Sequence, residues 1–261
     1  MRRTAIAAVC LAAVATAGLT GCGTQQKDGS PSGSRSQGAA KGADREKEPF
    51  PGLSGGEITE RALKATTGAE SLRMQGDMPD EESGGTLHID MSLNKKGDCA
   101  GTLSLDDQGT AELIKTGDSI YMKYDEAFLR AQSEGEPKGQ VDATVAMLAG
   151  KWTKMSVQGA DADDVAAFCD LDVMLGGAED GSSDATRGKT TTIGGKRALT
   201  LRERDGKDDY TFYVATEGEP YLLRLDNASP EEPGSVTFSA FDEPVPARKP
   251  SGPVIDLDAL G

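Results

Sequence analysis

The stretch Thr86-Leu87-His88-Ile89-Asp90-Met91-Ser92-Leu93-Asn94 decides the fold. Leu87, Ile89, Met91 and Leu93 point one way, and His88, Asp90, Ser92 and Asn94 point the other. A period of two is that of an extended strand with one buried and one wetted face. The same period recurs in Leu103 and Leu105, in Ile120, Met122 and Tyr124, and in Leu199 and Leu201. It returns in Tyr210, Phe212 and Val214, in Tyr221, Leu223 and Leu225, and in Val236, Phe238 and Ala240. Turn-forming clusters separate these runs: Lys96-Gly97-Asp98, Asp106-Asp107-Gln108-Gly109, Thr116-Gly117-Asp118, Gly194-Gly195 and Asp205-Gly206-Lys207. Short turns join antiparallel neighbours, so the sequence predicts an antiparallel sheet with one covered side.

Three helical stretches supply the cover. Residues 57–71 carry Ile58, Ala62, Leu63, Ala65 and Ala69 as an apolar stripe. A second group spans 125–130 and 141–148, with Phe128, Leu129, Val145 and Leu148. The third spans 161–171, where Asp161, Asp163 and Asp164 suit the orphan amides of a helix start. The fold class is therefore α+β. No composition shift divides the chain after Gly56, so residues 57–261 read as one domain.

The N-terminal segment has a different chemistry. Arg2 and Arg3 precede an apolar run from Ile6 to Gly18, too short for a comfortable membrane span. Leu19-Thr20-Gly21-Cys22 then reads as a lipobox. Residues 1–21 are read as a signal peptide, with cleavage before Cys22, whose thiol carries a diacylglycerol. This places the protein on the extracytoplasmic face of the cell membrane, its partner there being the bilayer that holds diacylglyceryl-Cys22. Gly23 to Gly56 is mostly small, polar and charged, so residues 22–56 read as a lipidated tether. A flexible linker of this length spans roughly 30 Å.

Two of the four cysteines belong to that segment: Cys10 in the signal and Cys22 at the anchor. Cys99 and Cys169 remain, an even pair in an oxidising compartment, and are predicted to form one disulfide. A two-cysteine metal site is the rival reading, and no CxxC or nearby His supports it.

The net charge of −15 leaves no basic footprint for nucleic acid or for anionic lipid heads. His88 is the single histidine, which excludes His-rich metal sites; its place in the alternation puts it on the wet face. Ser92-Leu93-Asn94-Lys95 and Lys115-Thr116-Gly117 match the letters of a serine penicillin-recognising enzyme. That serine must start a helix, whereas Ser92 falls in mid-strand. Gly188-Lys189-Thr190 matches the end of a phosphate loop without its first glycine, and is read as a helix-to-strand loop. Asp205-Gly206-Lys207-Asp208-Asp209 lacks the alternating oxygen ligands of a calcium loop. The sequence thus assigns no catalytic residue, no metal set and no cofactor.

The order of these parts resembles a known group. A lipobox and polar tether lead to a helix, a long meander, a helical insertion, a Trp-starting strand and a second meander. This order is similar to that of the mycobacterial LppX/LprG lipoproteins and their actinobacterial relatives. Local matches are Gly117-Asp118-Ser119-Ile120-Tyr121-Met122-Lys123, Gly150-Lys151-Trp152-Thr153-Lys154-Met155 and the tail Phe241-Asp242-Glu243-Pro244-Val245. The resemblance implies a curved LolA-like half-barrel with helices on its concave face, enclosing an apolar cavity for acyl chains of a lipid or glycolipid. The wall positions it implies are Leu87, Ile89, Met91, Leu93, Leu103, Leu105, Ile120, Met122, Phe212, Val214, Leu223, Leu225 and Phe238. Each of these is equally expected of a plain core.

Two functions follow from different classes. One is a non-catalytic carrier or binder of an apolar ligand. The other is an envelope scaffold that binds a protein partner and has no ligand cavity. A cavity above about 300 Å³ separates the first from the second.

Overall fold

The alternation around Ile89 builds one sheet. The computed structural model describes residues 48–80, 85–106, 108–158, 160–175, 184–230 and 233–259. The signal segment, Cys22 and the tether up to residue 47 lie outside the described residues.

The elements run α1 (Gly55–Gly68), β1 (Ser71–Pro79), β2 (Thr86–Asn94), β3 (Cys99–Leu105), β4 (Gly109–Thr116), β5 (Ser119–Tyr124), α2 (Glu126–Ala131), α3 (Lys138–Leu148) and β6 (Trp152–Ser156). They continue as α4 (Ala160–Ala167), α5 (Leu171–Leu175), β7 (Thr186–Ile193), β8 (Lys196–Asp205), β9 (Asp208–Ala215), β10 (Leu222–Asn227), β11 (Gly234–Ser239) and β12 (Val254–Asp256). The strands lie in the order β12-β6-β5-β4-β3-β2-β1-β11-β10-β9-β8-β7. The pairs from β6 round to β7 are antiparallel, while β12 runs parallel to β6. The result is a large, open, curved sheet that does not close on itself.

One face carries the core. Leu72, Met74, Met91, Leu93, Leu113, Ile120, Leu201 and Val214 are buried there, with Ile58 and Ala62 of α1. Full burial of one such side chain stabilises by about 1.5–3 kcal/mol. Curvature has a cost in space on this face, and two glycines meet it. A Cβ at Gly101 would fall 2.0 Å from the Asp90 carbonyl oxygen, and one at Gly76 would fall 2.1 Å from that of Ser235. Only glycine lets the neighbouring backbones approach so closely.

α1 starts two residues earlier than the apolar stripe predicts, because Ser54 caps it. The Ser54 hydroxyl accepts from the Glu57 amide at 3.2 Å, and the Glu57 carboxylate accepts from the Ser54 amide at 2.8 Å. The helix ends at Gly68, not Ser71, which instead opens β1. The tether boundary moves as well. Phe50 and Leu53, assigned by composition to the tether, pack against the core. Arg187 donates to the carbonyls of Pro49, Phe50 and Leu53 at 2.5, 2.9 and 2.8 Å and pairs with Glu48 at 3.1 Å. Four acceptors around one guanidinium fasten the incoming chain to β7.

The single helix expected over 161–171 is two, α4 and α5, and Cys169 lies in the turn between them. Asp170 breaks the run: its carboxylate accepts from the amides of Asp172 and Val173 and starts α5. The Cys99–Cys169 disulfide is formed, with Cα atoms 5.2 Å apart, and it staples this turn to β3.

Five strands, β1, β4, β6, β7 and β12, lie outside the alternation read from sequence. In β4, Ala111 and Leu113 face the core, but Ile114 sits on the opposite face and blurs the period. β12 is only three residues long. β7 contains Gly188-Lys189-Thr190, so that segment is an edge strand and not a loop. An edge strand wetted on both faces has no hydrophobic alternation to read.

Candidate ligand-binding groove

Where the sheet's apolar face reaches the ends of β1, β9, β10 and β11, it is not filled. A groove of about 400 Å³ lies there, lined by Met78, Pro79, Tyr210, Leu225, Asn227, Gly234, Ser235 and Val236. Strand register explains its position. Phe212, Leu225 and Val236 stand in one cross-strand row, with Tyr210, Asn227 and Gly234 in the next row but one along the strands. Gly234 contributes no side chain, so space remains between Tyr210 and Met78. Asn227 supplies a polar group at the rim of an otherwise apolar surface, while Ser235 turns its hydroxyl to the opposite face and donates to Asp226 at 2.8 Å.

The predicted wall residues divide into three sets. Ile89, Met91, Leu93, Ile120, Met122, Val214 and Phe238 are buried in the main core. Leu103, Phe212 and Leu225 are partly buried against that core, and Leu87 and Leu105 are half-buried. Of these, Leu225 lines the groove, and Leu87 stands beside the groove residue Met78 in register. Leu223 is the exception. It packs with Ala198 and Ala215 in a second cluster, apart from the main core. The β9–β10 register shifts between Leu222 and Arg224, and this bulge turns Leu222 to the core in place of Leu223. Met78, Tyr210 and Val236 are groove residues that the wall assignment omitted; their apolar character was legible, their shared location was not.

The cover is uneven. α1 packs over β7, β8, β9 and β10, and α2 over β4. α2 is capped by Asp125, whose carboxylate accepts from the Phe128 amide at 2.7 Å. Phe128 stacks on Tyr124 at 5.2 Å, and Leu129 is buried. Burial pushes the Tyr124 phenol above its ordinary value. α3 has no buried residue and joins α2 through Asp142, which pairs with Arg130 at 3.0 Å and Lys138 at 2.7 Å.

The opposite face of the sheet is polar and holds a second concavity of about 490 Å³ around Gln75, Asp77, His88 and Asp90. Its charges hold one another. Arg73 grips Asp90 with two bonds of 2.7 Å and keeps that carboxyl below its usual range. His88 is exposed, in agreement with its place in the alternation. Both of its ring nitrogens meet carboxylates, Asp77 at 2.6 Å and Asp106 at 2.7 Å. These bonds, Asp106 foremost, hold the imidazole above its ordinary value. Asp106 lies in the turn after β3, so this clasp was invisible to a strand-by-strand reading.

Among the described residues no group of three His, Cys, Asp or Glu side chains is placed to hold a metal ion. No described helix is long and apolar enough to cross a membrane.

No family model matches the chain. No curated protein matches it either. Solved structures do. LprF from Mycobacterium bovis is similar with a TM-score of 0.51 and 15% identity, over 78% of this chain and 99% of that one. The Mycobacterium tuberculosis lipoprotein LppX gives a TM-score of 0.49 and 15% identity, over 74% of this chain and 98% of that one. A LolA superfamily protein from Nitrosomonas europaea gives 0.24 and 9%, over 76% and 96%. At this identity the likeness concerns the fold. An open antiparallel sheet, a helix-lined apolar face and a match along nearly all of LprF together assign the chain the LppX/LprG-like half-barrel fold.

Proposed function

We propose that the protein is a non-catalytic carrier or binder of an acyl-bearing ligand, a lipid or glycolipid, held at the extracytoplasmic face of the membrane through Cys22. The groove of about 400 Å³ beside Leu225 carries this reading. Its volume exceeds the roughly 300 Å³ at which ligand sites begin, and its walls are apolar with the Asn227 amide at one rim. A saturated chain satisfies such walls by area alone, and a headgroup at the rim meets Asn227. The fold shared with LprF, an open sheet with helices over its apolar face, leaves room for such a groove and supports the reading.

The test is native mass spectrometry of the mature protein extracted from its own membranes, followed by lipid identification. A stoichiometric lipid is expected, and it should be lost in Leu225→Trp, which fills the groove. A clean apo mass, with no uptake from phospholipid vesicles, would overturn the carrier function. Fractionation of Cys22→Ala tests the anchor separately: the variant should leave the membrane fraction, and its retention there would sink the anchor.

A further inference from the structure

The two ends of the sheet are treated differently. At one end the chain spends its own C-terminal residues as cover. β12 adds in parallel to β6, pairing Val254 with Trp152 and Asp256 with Lys154, and the Leu257 amide donates to the Lys154 carbonyl at 2.9 Å. At the other end lies β7, paired on one side with β8 and, among the described residues, with no strand on its other side. Thr186 and residues 188–192 are exposed. The strand carries no proline, and from Thr190 to Ile193 its pairing with β8 is regular. A row of outward amides and carbonyls on β-branched residues is a template for a further strand.

Charge narrows the occupant. The hairpin 186–205 holds six bases, Arg187, Lys189, Lys196, Arg197, Arg202 and Arg204, against two acids, Glu203 and Asp205. The chain as a whole carries −15, so its total conceals this segregation. Arg187 is engaged by the carbonyls of residues 49, 50 and 53, and Arg204 by Asp209 at 2.7 Å. Lys189, Lys196 and Arg202 are exposed. A second copy of this chain is disfavoured at this edge, because β7 carries Arg187 and Lys189 and no carboxylate, so pairing β7 with β7 gains no opposite charge. An acidic segment meets complementary charge, and an extended one meets the free backbone.

We propose that β7 is a docking edge for an extended acidic segment of a partner protein, which adds to the sheet beside Lys189–Ile193. This surface is distinct from the groove and does not depend on the lipid reading.

The test uses the full mature protein in detergent with the blocked peptide Glu-Val-Glu-Val-Glu-Val-Glu-Val, followed by hydrogen exchange. Gain of protection is expected at the amides among residues 189–193 that face away from β8, since alternate amides of the strand already bond that neighbour. The Lys189→Glu variant changes one exposed side chain; it should keep the parent melting temperature and weaken binding severalfold, the effect that lost charge complementarity brings. The counterpart Lys-Val-Lys-Val-Lys-Val-Lys-Val should bind more weakly. Equal binding of the two peptides, protection elsewhere in the sheet, or concentration-dependent protection of β7 without peptide would each overturn the proposal; the last would identify a second copy as the occupant. None of these outcomes alters lipid retention, which reports on the groove alone.

Discussion

The amide of Leu222 donates to the hydroxyl of Thr66 at 2.9 Å, while that hydroxyl donates to the Ala62 carbonyl at 2.8 Å. Thr66 is buried, and the bond ties α1 to the bulge that turns Leu222 toward the core. Thr66→Val keeps the shape and removes the acceptor. A buried amide left without a partner costs about 1–3 kcal/mol. Urea unfolding should show that loss with an unchanged m-value; a loss below a few tenths would mean that the bulge amide finds another acceptor.

The Cys99–Cys169 disulfide closes a loop across a sequence separation of 70. In the chain-entropy account such a loop contributes about 4 kcal/mol. The unfolding midpoint should therefore drop strongly in the double Ala variant or in reductant. Thiol labelling of the unfolded, unreduced protein should find neither cysteine free, and labelling of both would exclude the bond.

His88 predicts a pH dependence whose sign is fixed. Its folded pKa is raised by Asp106 and Asp77 above the ordinary 6.5. The imidazolium's contribution is complete at pH values below about 6.5 and is lost as pH rises through the raised value. The group is exposed, so the effect is small. Stability should decline over that alkaline flank in the parent protein and not in His88→Gln. An NMR titration of the ring is the direct measure: a midpoint at or below 6.5 would contradict the clasp.

Arg187→Met should release the chain that Arg187 fastens at residues 48–53. Hydrogen bonds from a charged donor are worth about 1.5–3 kcal/mol, and three carbonyls lose theirs here. Exchange protection and protease resistance of residues 48–54 should fall while β2 keeps its own. A segment that stays protected would show that Phe50 and Leu53 hold it by packing alone.

The β2 alternation was legible because one face of that strand is buried, and burial writes itself into sequence at a period of two. Leu87 to Leu93 declared a covered sheet, the turn clusters declared its antiparallel order, and Cys99 and Cys169 declared their bond by elimination. Where a strand meets water on both sides, as in β7, no such period exists, and Gly188-Lys189-Thr190 looked like a loop. Where the ladder slips, as at Leu222 and Leu223, the period survives in the letters but not in space.

Sequence by itself determined the residue types, the antiparallel class and the disulfide. Tertiary structure alone decided which apolar residues are core and which face a groove. That distinction depends on missing volume, here left beside Leu225 by Gly234 and by cover over only part of the apolar face. It also depends on which strand ends a sheet: the position of β7 at an open edge is a property of pairing order, and pairing order is set by contacts far apart in the chain.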